Sequence, residues 1–323
     1  MQMRPYGESG LHVPVLGFGA MQVGDPSLDE APAERLLHHV LDAGLTLIDT
    51  ARSYGLAEAR IGRVLARRRD EFVLSTKVGY GIDGIQDWTY DCVRAGVDAA
   101  RDRLRTDVIE IVHLHSCGLG TLEAGEVIRA LAQCRDEGKI KVAAYSGDGD
   151  ALRFAAANPH PHPLPQSRER VPSHLSRTAG EVGGTPGEGS FQGLQASVNL
   201  CDQQALPVLR AARTRGIGTI AKRSLAGRPW QGSAGGDPVH DEYRRRFESL
   251  RPALPFAVDD WEGFALRFAA YAPGVDCVIV GGTTVANVDR NVDTVGLGPL
   301  KLAERSAIAD AYATLGQRWE GLV

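Results

Sequence analysis

The chain has 323 residues, 43% of them hydrophobic and 24% charged, with a formal net charge of -4. That is the profile of a soluble globular protein, and it carries no electrostatic footprint for nucleic acid or an anionic membrane. The opening MQMRPYGESG lacks the apolar centre of a secretory signal, no apolar run reaches the ~20 residues of a membrane helix, and five cysteines without metal-type spacing point to a reducing cytoplasm.

Arg4–Val13, with Gly-Glu-Ser-Gly at its centre, reads as a hairpin. Val15–Met21 reads as a strand whose Gly17 and Gly19 fall where backbone must approach something closely. Ala33–Ala43 places Leu36, Leu37, Val40 and Leu41 at helical spacing and stops at Gly44. Then come a strand, Leu45–Asp49, a helix, Leu56–Arg67, and a second strand, Phe72–Lys77. A helix over Thr89–Arg105 precedes the strand Val108–Leu114, which ends on His115. The alternation continues with a helix over Leu122–Glu137 closed by Gly138, a strand Ile140–Tyr145 and a short helix Ala151–Ala157. Leu194–Val198 is the sixth strand, Gln203–Arg215 a helix and Ile217–Lys222 the seventh strand. A longer connection leads to a helix, Asp259–Tyr271, and a last strand, Asp276–Val280.

Eight strands alternating with helices predict an α/β fold closed as a (β/α)₈ TIM barrel, a single domain over residues 1–323. A doubly wound sheet fits less well, because the first strand-to-helix turn lacks Gly-x-Gly-x-x-Gly. Residues 160–190 interrupt the pattern with five Pro and five Gly among 31 residues and no apolar period, so they read as a disordered insertion before strand six. Its His160, His162 and His174 are too irregularly spaced for a metal site.

In such a barrel the strand ends converge on one rim, where ligands bind. Asp49, Lys77 and His115 end three strands, and Tyr54 lies in the loop after the first, so all four share one mouth. A carboxylate holding a lysine beside a phenol is an arrangement for proton transfer, since the ammonium stabilises the phenolate left behind. His113 points to the same side of its strand as His115, and periodicity does not say which of the two meets a substrate.

The runs DTARSYGLAEARIG, STKVG and DVIEIVHLHS resemble the catalytic signature of aldo-keto reductases. The resemblance extends from RPYGESGLHVPVLGFGAM to VDCVIVGGTTVANVDRNV, leaving out residues 160–190. It implies a tetrad of Asp49, Tyr54, Lys77 and His115, with His113 packed deeper and satisfied. It implies a nicotinamide cofactor, because none of the four residues stores electrons. Ser146 and Gln195 match the family's carboxamide-binding positions, and Gly19, Ala20, Met21, Asp49 and Leu225 fall along the same wall. Two positions depart from the pattern. Gly147 replaces an Asn, so that amide contact is absent or supplied by Asp148, and Lys222 replaces a stacking aromatic and is expected to approach the pyrophosphate.

At the adenosine end the resemblance implies Gly282, Thr283, Asn287, Arg290 and Asn291. The family's phosphate-reading cation falls on Asn287, which leaves Arg290 as the local guanidinium for a 2′-phosphate, so NADP is expected, with NAD the alternative. The substrate loops correspond to Cys117–Gly125, Ala226–Pro255 and the tail near Trp319, with Trp88, Trp230 and Arg52 as lining residues. The expected activity is NAD(P)H-dependent reduction of a small aldehyde or ketone in the cytoplasm. Alternatives are a sugar dehydrogenase running oxidatively and a regulatory barrel that binds the cofactor without turnover. No metal, nucleic acid or membrane partner is expected, and oligomeric state is not legible.

Overall fold

The computed structural model describes residues 1–157, 191–232 and 236–322. The opening hairpin pairs β1 (Met3–Pro5) with β2 (His12–Pro14), Arg4 lying opposite Val13. Among the described residues, eight parallel strands then close a barrel in chain order. They are β3 (Leu16–Gly19), β4 (Leu47–Asp49), β5 (Val73–Val78), β6 (Ile109–His115), β7 (Ile140–Ser146), β8 (Gly193–Ser197), β9 (Gly218–Lys222) and β10 (Cys277–Val280). The seam joins β10 to β3, with Leu16 opposite Val278. The barrel read from the alternation is the observed fold.

The helices read between the strands form where the apolar spacing placed them, whereas those over Pro238–Leu250 and Leu302–Leu315 have no counterpart in the sequence reading. On α1 (Glu30–Asp42) the buried residues are Ala33, Leu36, Leu37, Val40 and Leu41, one stripe at helical period, and Gly44 with φ 83° follows its end. The other crossovers of this kind are α2 (Ala57–Val64), α3 (Tyr90–Leu104), then α4 (Leu119–Ala124) and α5 (Glu126–Asp136). After them come α6 (Gly149–Ala157), α7 (Leu206–Arg213), α8 (Pro238–Leu250), α9 (Trp261–Ala270), α10 (Val285–Gly296) and α11 (Leu302–Leu315).

Two readings of the sequence need correction. The helix expected over Leu122–Glu137 is two helices, because Gly125 takes φ 77° and breaks the ladder between α4 and α5. The connection expected between β9 and α9 contains α8, which starts at Pro238 with the Asp237 side chain accepting from Val239 N. It buries Tyr243, Phe247 and Leu250, three positions on one helical face within a charged run. The insertion expected over residues 160–190 lies outside the described residues.

The core has two layers. Apolar faces of strands and helices fill the outer one, while inside the barrel Tyr6, Leu47, Ile111, Val142, Ile220 and Cys277 form a floor. Leu47 and Ile111 are fully buried, worth on the order of 1.5–3 kcal/mol each. The hairpin closes that floor. Tyr6 is fully buried, and the Arg4 guanidinium reaches Ala270 O at 3.0 Å and Val275 O at 2.9 Å. Above the floor the interior turns polar, with Asp49, Ser75, Lys77, His113 and Gln195 all buried. That change marks the mouth.

Candidate active site

Asp49 ends β4 and Lys77 lies near the end of β5, which pairs with β4 in register. Lys77 Nζ donates to Asp49 Oδ2 at 2.5 Å and to Thr50 O at 2.9 Å, both side chains 2% exposed. Burial disfavours both charges, and the pairing outweighs it. Asp49 is held below the ordinary carboxylate range by Lys77 and His113, and Lys77 above the ordinary ammonium range by Asp49 and Tyr54. The same ammonium lies 5.0 Å from the Tyr54 ring centroid. Asp49 Oδ1 accepts from Ser75 Oγ at 2.8 Å and Gln195 Nε2 at 2.9 Å, so two further strands, β5 and β8, fix the carboxylate.

Tyr54 owes its place to a neighbouring loop. A Cβ at Gly24 would lie 1.6 Å from Tyr54 O, so only glycine lets the loop after β3 press against this backbone. Leu56 N donates to Gly24 O at 2.9 Å. The loop is gripped in turn by Arg60 on α2, 3% exposed, which donates to Val23 O at 2.6 Å, Asp25 O at 2.9 Å and Leu28 O at 2.6 Å, and pairs with Glu30.

His115 meets the Tyr54 ring edge-on at 6.0 Å. Its Nδ1 lies 2.9 Å from Tyr80 Oη, and the two rings stack at 5.5 Å and 25°. Burial, then Lys77 and Lys222, push this imidazole down to about 3, so it is neutral at ordinary pH. Sequence reasoning missed Tyr80, three residues beyond Lys77 in the loop that leaves β5. A phenol at that offset was the available signal. Trp88 and Arg52, expected to line the substrate pocket, brace this loop. Trp88 packs on Tyr80 at 5.4 Å and its N–H donates to Gly79 O, while Arg52 Nε donates to Gly81 O at 2.7 Å. Trp230 packs edge-on against Phe247 of α8, at 5.9 Å.

His113 is deep in the barrel, as expected, but only half satisfied. Nε2 lies 3.1 Å from Ser75 Oγ, and buried Nδ1 has no hydrogen-bond partner. Burial pushes it down to about 3.

On the far wall Ser146 Oγ donates to Gln195 Oε1 at 2.9 Å, and Gln195 passes the chain on to Asp49. Gly147 carries no amide because there is no room for one: a Cβ there would lie 2.2 Å from Tyr145 Oη, which donates to Cys117 O. Asp148 does not replace it. Its carboxylate accepts from Ser197 N at 2.8 Å and Ser197 Oγ at 3.0 Å, and lies 3.4 Å from Lys222 Nζ. Lys222 is thereby tied within the mouth rather than free to follow a pyrophosphate, and burial pulls its ammonium below the ordinary range.

The adenosine-end residues form a second group. Gly282 and Thr283 precede α10, whose N-cap Thr284 accepts from Asn287 N, and Thr284 Oγ1 donates to Asn287 Oδ1. Arg290 Nη2 meets Glu262 at 3.1 Å, and Arg228 meets the same oxygen at 3.2 Å. Asn291 is turned inward, 6% exposed, and Ala20 is fully buried, its N–H given to Asp49 O, whereas Met21 is 55% exposed. Gly19 faces Gly281 across the β3–β10 seam, and Leu225 is half-buried beyond β9.

These residues fit a dinucleotide. Gln22 Oε1, buried without a hydrogen-bond partner, lies beside Gly281, and the N-terminal end of α10 suits a phosphate.

A sequence profile described as the Aldo/keto reductase family matches residues 15–163. An L-galactose dehydrogenase of Arabidopsis thaliana is 24% identical, over 98% of this chain and 96% of its own length. A D-threo-aldose 1-dehydrogenase of a Pseudomonas species is 32% identical, over 41% of this chain and 50% of its own. The holo structure of an aldo-keto reductase from Bacillus halodurans matches with a TM-score of 0.73 at 24% identity, covering 96% of both chains, a likeness of fold.

Proposed function

The chain belongs to the aldo/keto reductase family, and from that premise we propose that it interconverts a small carbonyl compound and its alcohol with NADP(H). The observation that carries this reading is the Lys77 ammonium placed between Asp49 Oδ2, 2.5 Å away, and the Tyr54 ring, with His115 edge-on to that ring. A bound nicotinamide supplies or accepts the hydride. Tyr54 gives its proton to the carbonyl oxygen as carbon is reduced, and takes it back when an alcohol is oxidised. A free phenol holds its proton to about pH 10, so the phenolate needs a cation beside it, and Lys77 provides one. Asp49 keeps Lys77 charged and in place, while neutral His115 orients the carbonyl oxygen through a ring N–H.

Two guanidiniums, Arg228 and Arg290, share the single carboxylate of Glu262, and their excess positive charge favours NADP over NAD. All five cysteines are free and buried, which suits the cytoplasm. Among the described residues no helix is long and apolar enough to cross a membrane.

Oxidation of a sugar is the second reading. It is favoured by the names of the two dehydrogenase relatives, one of which aligns over almost the whole chain. A panel of aldehydes with NADPH or NADH, set beside aldoses with the oxidised cofactors, separates the two directions. Tyr54→Phe should lower kcat by at least ~10²-fold in either direction, the low end for general acid catalysis, and leave cofactor affinity by fluorescence titration unchanged. Near-normal turnover by that variant would remove Tyr54 from the reaction.

A further inference from the structure

We propose that Tyr80 is a positioning residue that fixes the tautomer of His115, placing its one proton on Nε2 so that this nitrogen faces the reacting oxygen as a donor. The inference rests on the carbonyl chemistry proposed above and adds a residue to it.

His115 is neutral, so its ring carries a single N–H, and which nitrogen bears it decides whether the group attracts or repels a carbonyl oxygen. Nδ1 is engaged: Tyr80 Oη lies 2.9 Å from it, with the rings stacked at 5.5 Å. Tyr80 Oη also lies 3.1 Å from Ser53 Oγ, and a phenol has one proton to give. Two arrangements follow. Either Tyr80 donates to Nδ1 and receives from Ser53, leaving the proton on Nε2, or Tyr80 donates to Ser53 and receives from Nδ1–H, leaving Nε2 bare.

Acid and base strength decide between them. A phenol is a far stronger acid than an alcohol, and an imidazole nitrogen a far stronger base than a serine oxygen, so the strongest donor meets the strongest acceptor when Tyr80 donates to Nδ1. Ser53 is exposed and finds water for its own oxygen at no cost. The loop geometry holds Tyr80 to this role. Trp88 packs on its ring at 5.4 Å, Gly81 N donates to Asp87 Oδ1 at 2.8 Å, and Arg52 clasps Gly81 O.

The test reads the two His115 nitrogens by nitrogen NMR in the free protein, beside steady-state turnover. The parent should show one tautomer, protonated on Nε2. In Tyr80→Phe, which keeps the ring and its stacking, the Nδ1 signal should move, and kcat should fall roughly three- to tenfold with KM little changed, the loss of one ordinary hydrogen bond. Ser53→Ala should leave the Nε2–H tautomer in place, since it removes only the competing partner. A parent protonated on Nδ1, or an Nδ1 signal unmoved in Tyr80→Phe, would overturn the proposal. The tautomer stands apart from activity: a protein that shows Nε2–H but turns over neither carbonyls nor sugars supports the tautomer and refutes the proposed function.

Discussion

At position 147 one missing Cβ changes the wall of the mouth. Tyr145 Oη occupies the space where a side chain would begin and ties β7 to Cys117 O, so the Asn expected here from the resemblance cannot be introduced without displacing the tyrosine. The sequence displayed the departure at Gly147 but not its cause, which lies two residues away on the same strand. The same holds for Lys222, whose partner Asp148 is 74 positions distant and visible only once β7 and β9 flank β8. By contrast, Asp49, Tyr54, Lys77 and His115 were legible because each stands at or just beyond a strand end, and the barrel brings strand ends together. Arg290 belongs to this scale too. With Glu262 already shared by Arg228, Arg290→Ala should weaken NADP binding more than tenfold and NAD binding little, a charged hydrogen bond being worth roughly 1.5–3 kcal/mol. Equal loss for both cofactors in a fluorescence titration would place the discriminating group elsewhere.

Among the elements, the loop after β3 matters more than its irregular sequence suggested. Residues 20–28 have no apolar period, yet Arg60 holds three of their carbonyls, and Gly24 carries that rigidity to the Tyr54 backbone. Arg60→Met fills the same volume without the donors. It should cost roughly 1–3 kcal/mol for each backbone carbonyl left buried without a donor, and lower kcat as well because Tyr54 loses its backing. Urea unfolding and turnover check the two effects, and the His115–Tyr80 contact should survive. Element boundaries were least legible where one residue overrides a pattern. Gly125 cuts a continuous apolar period into α4 and α5. In α8 the charged residues hid the face of Tyr243, Phe247 and Leu250, although that spacing was present in the sequence.

For the whole molecule, stability should tilt with pH in opposite directions for two kinds of buried group. Burial pushes His113 and His115 to about 3 from an ordinary 6.5, so between those values the unfolded chain binds protons that the folded one refuses, and stability is lost as pH falls. Asp202 behaves in reverse. Burial, then Asp148, raises it to about 6 from 3.8, so the folded chain keeps a proton the unfolded chain releases, and stability falls as pH rises across that window. Each group contributes up to about 1.4 kcal/mol per pH unit. Between about pH 4.5 and 6, Asp202→Asn should therefore steepen the rise of stability with pH, and His113→Gln should flatten it. Urea midpoints at three pH values test both slopes. The order of strands was the most legible feature at this scale, since alternation leaves few ways to wind a chain.

The seam of the barrel also sets a timetable for synthesis. Leu16 pairs with Val278, and Arg4 reaches Val275, so the first barrel strand waits for the last before that edge is covered. At ~5–20 residues per second a ribosome needs roughly 15–50 s to cover that distance. Through that interval the nascent chain exposes an open, apolar strand edge, the template on which chains aggregate. Expression yield should therefore respond to translation speed and chaperone supply more than the finished protein's stability would suggest.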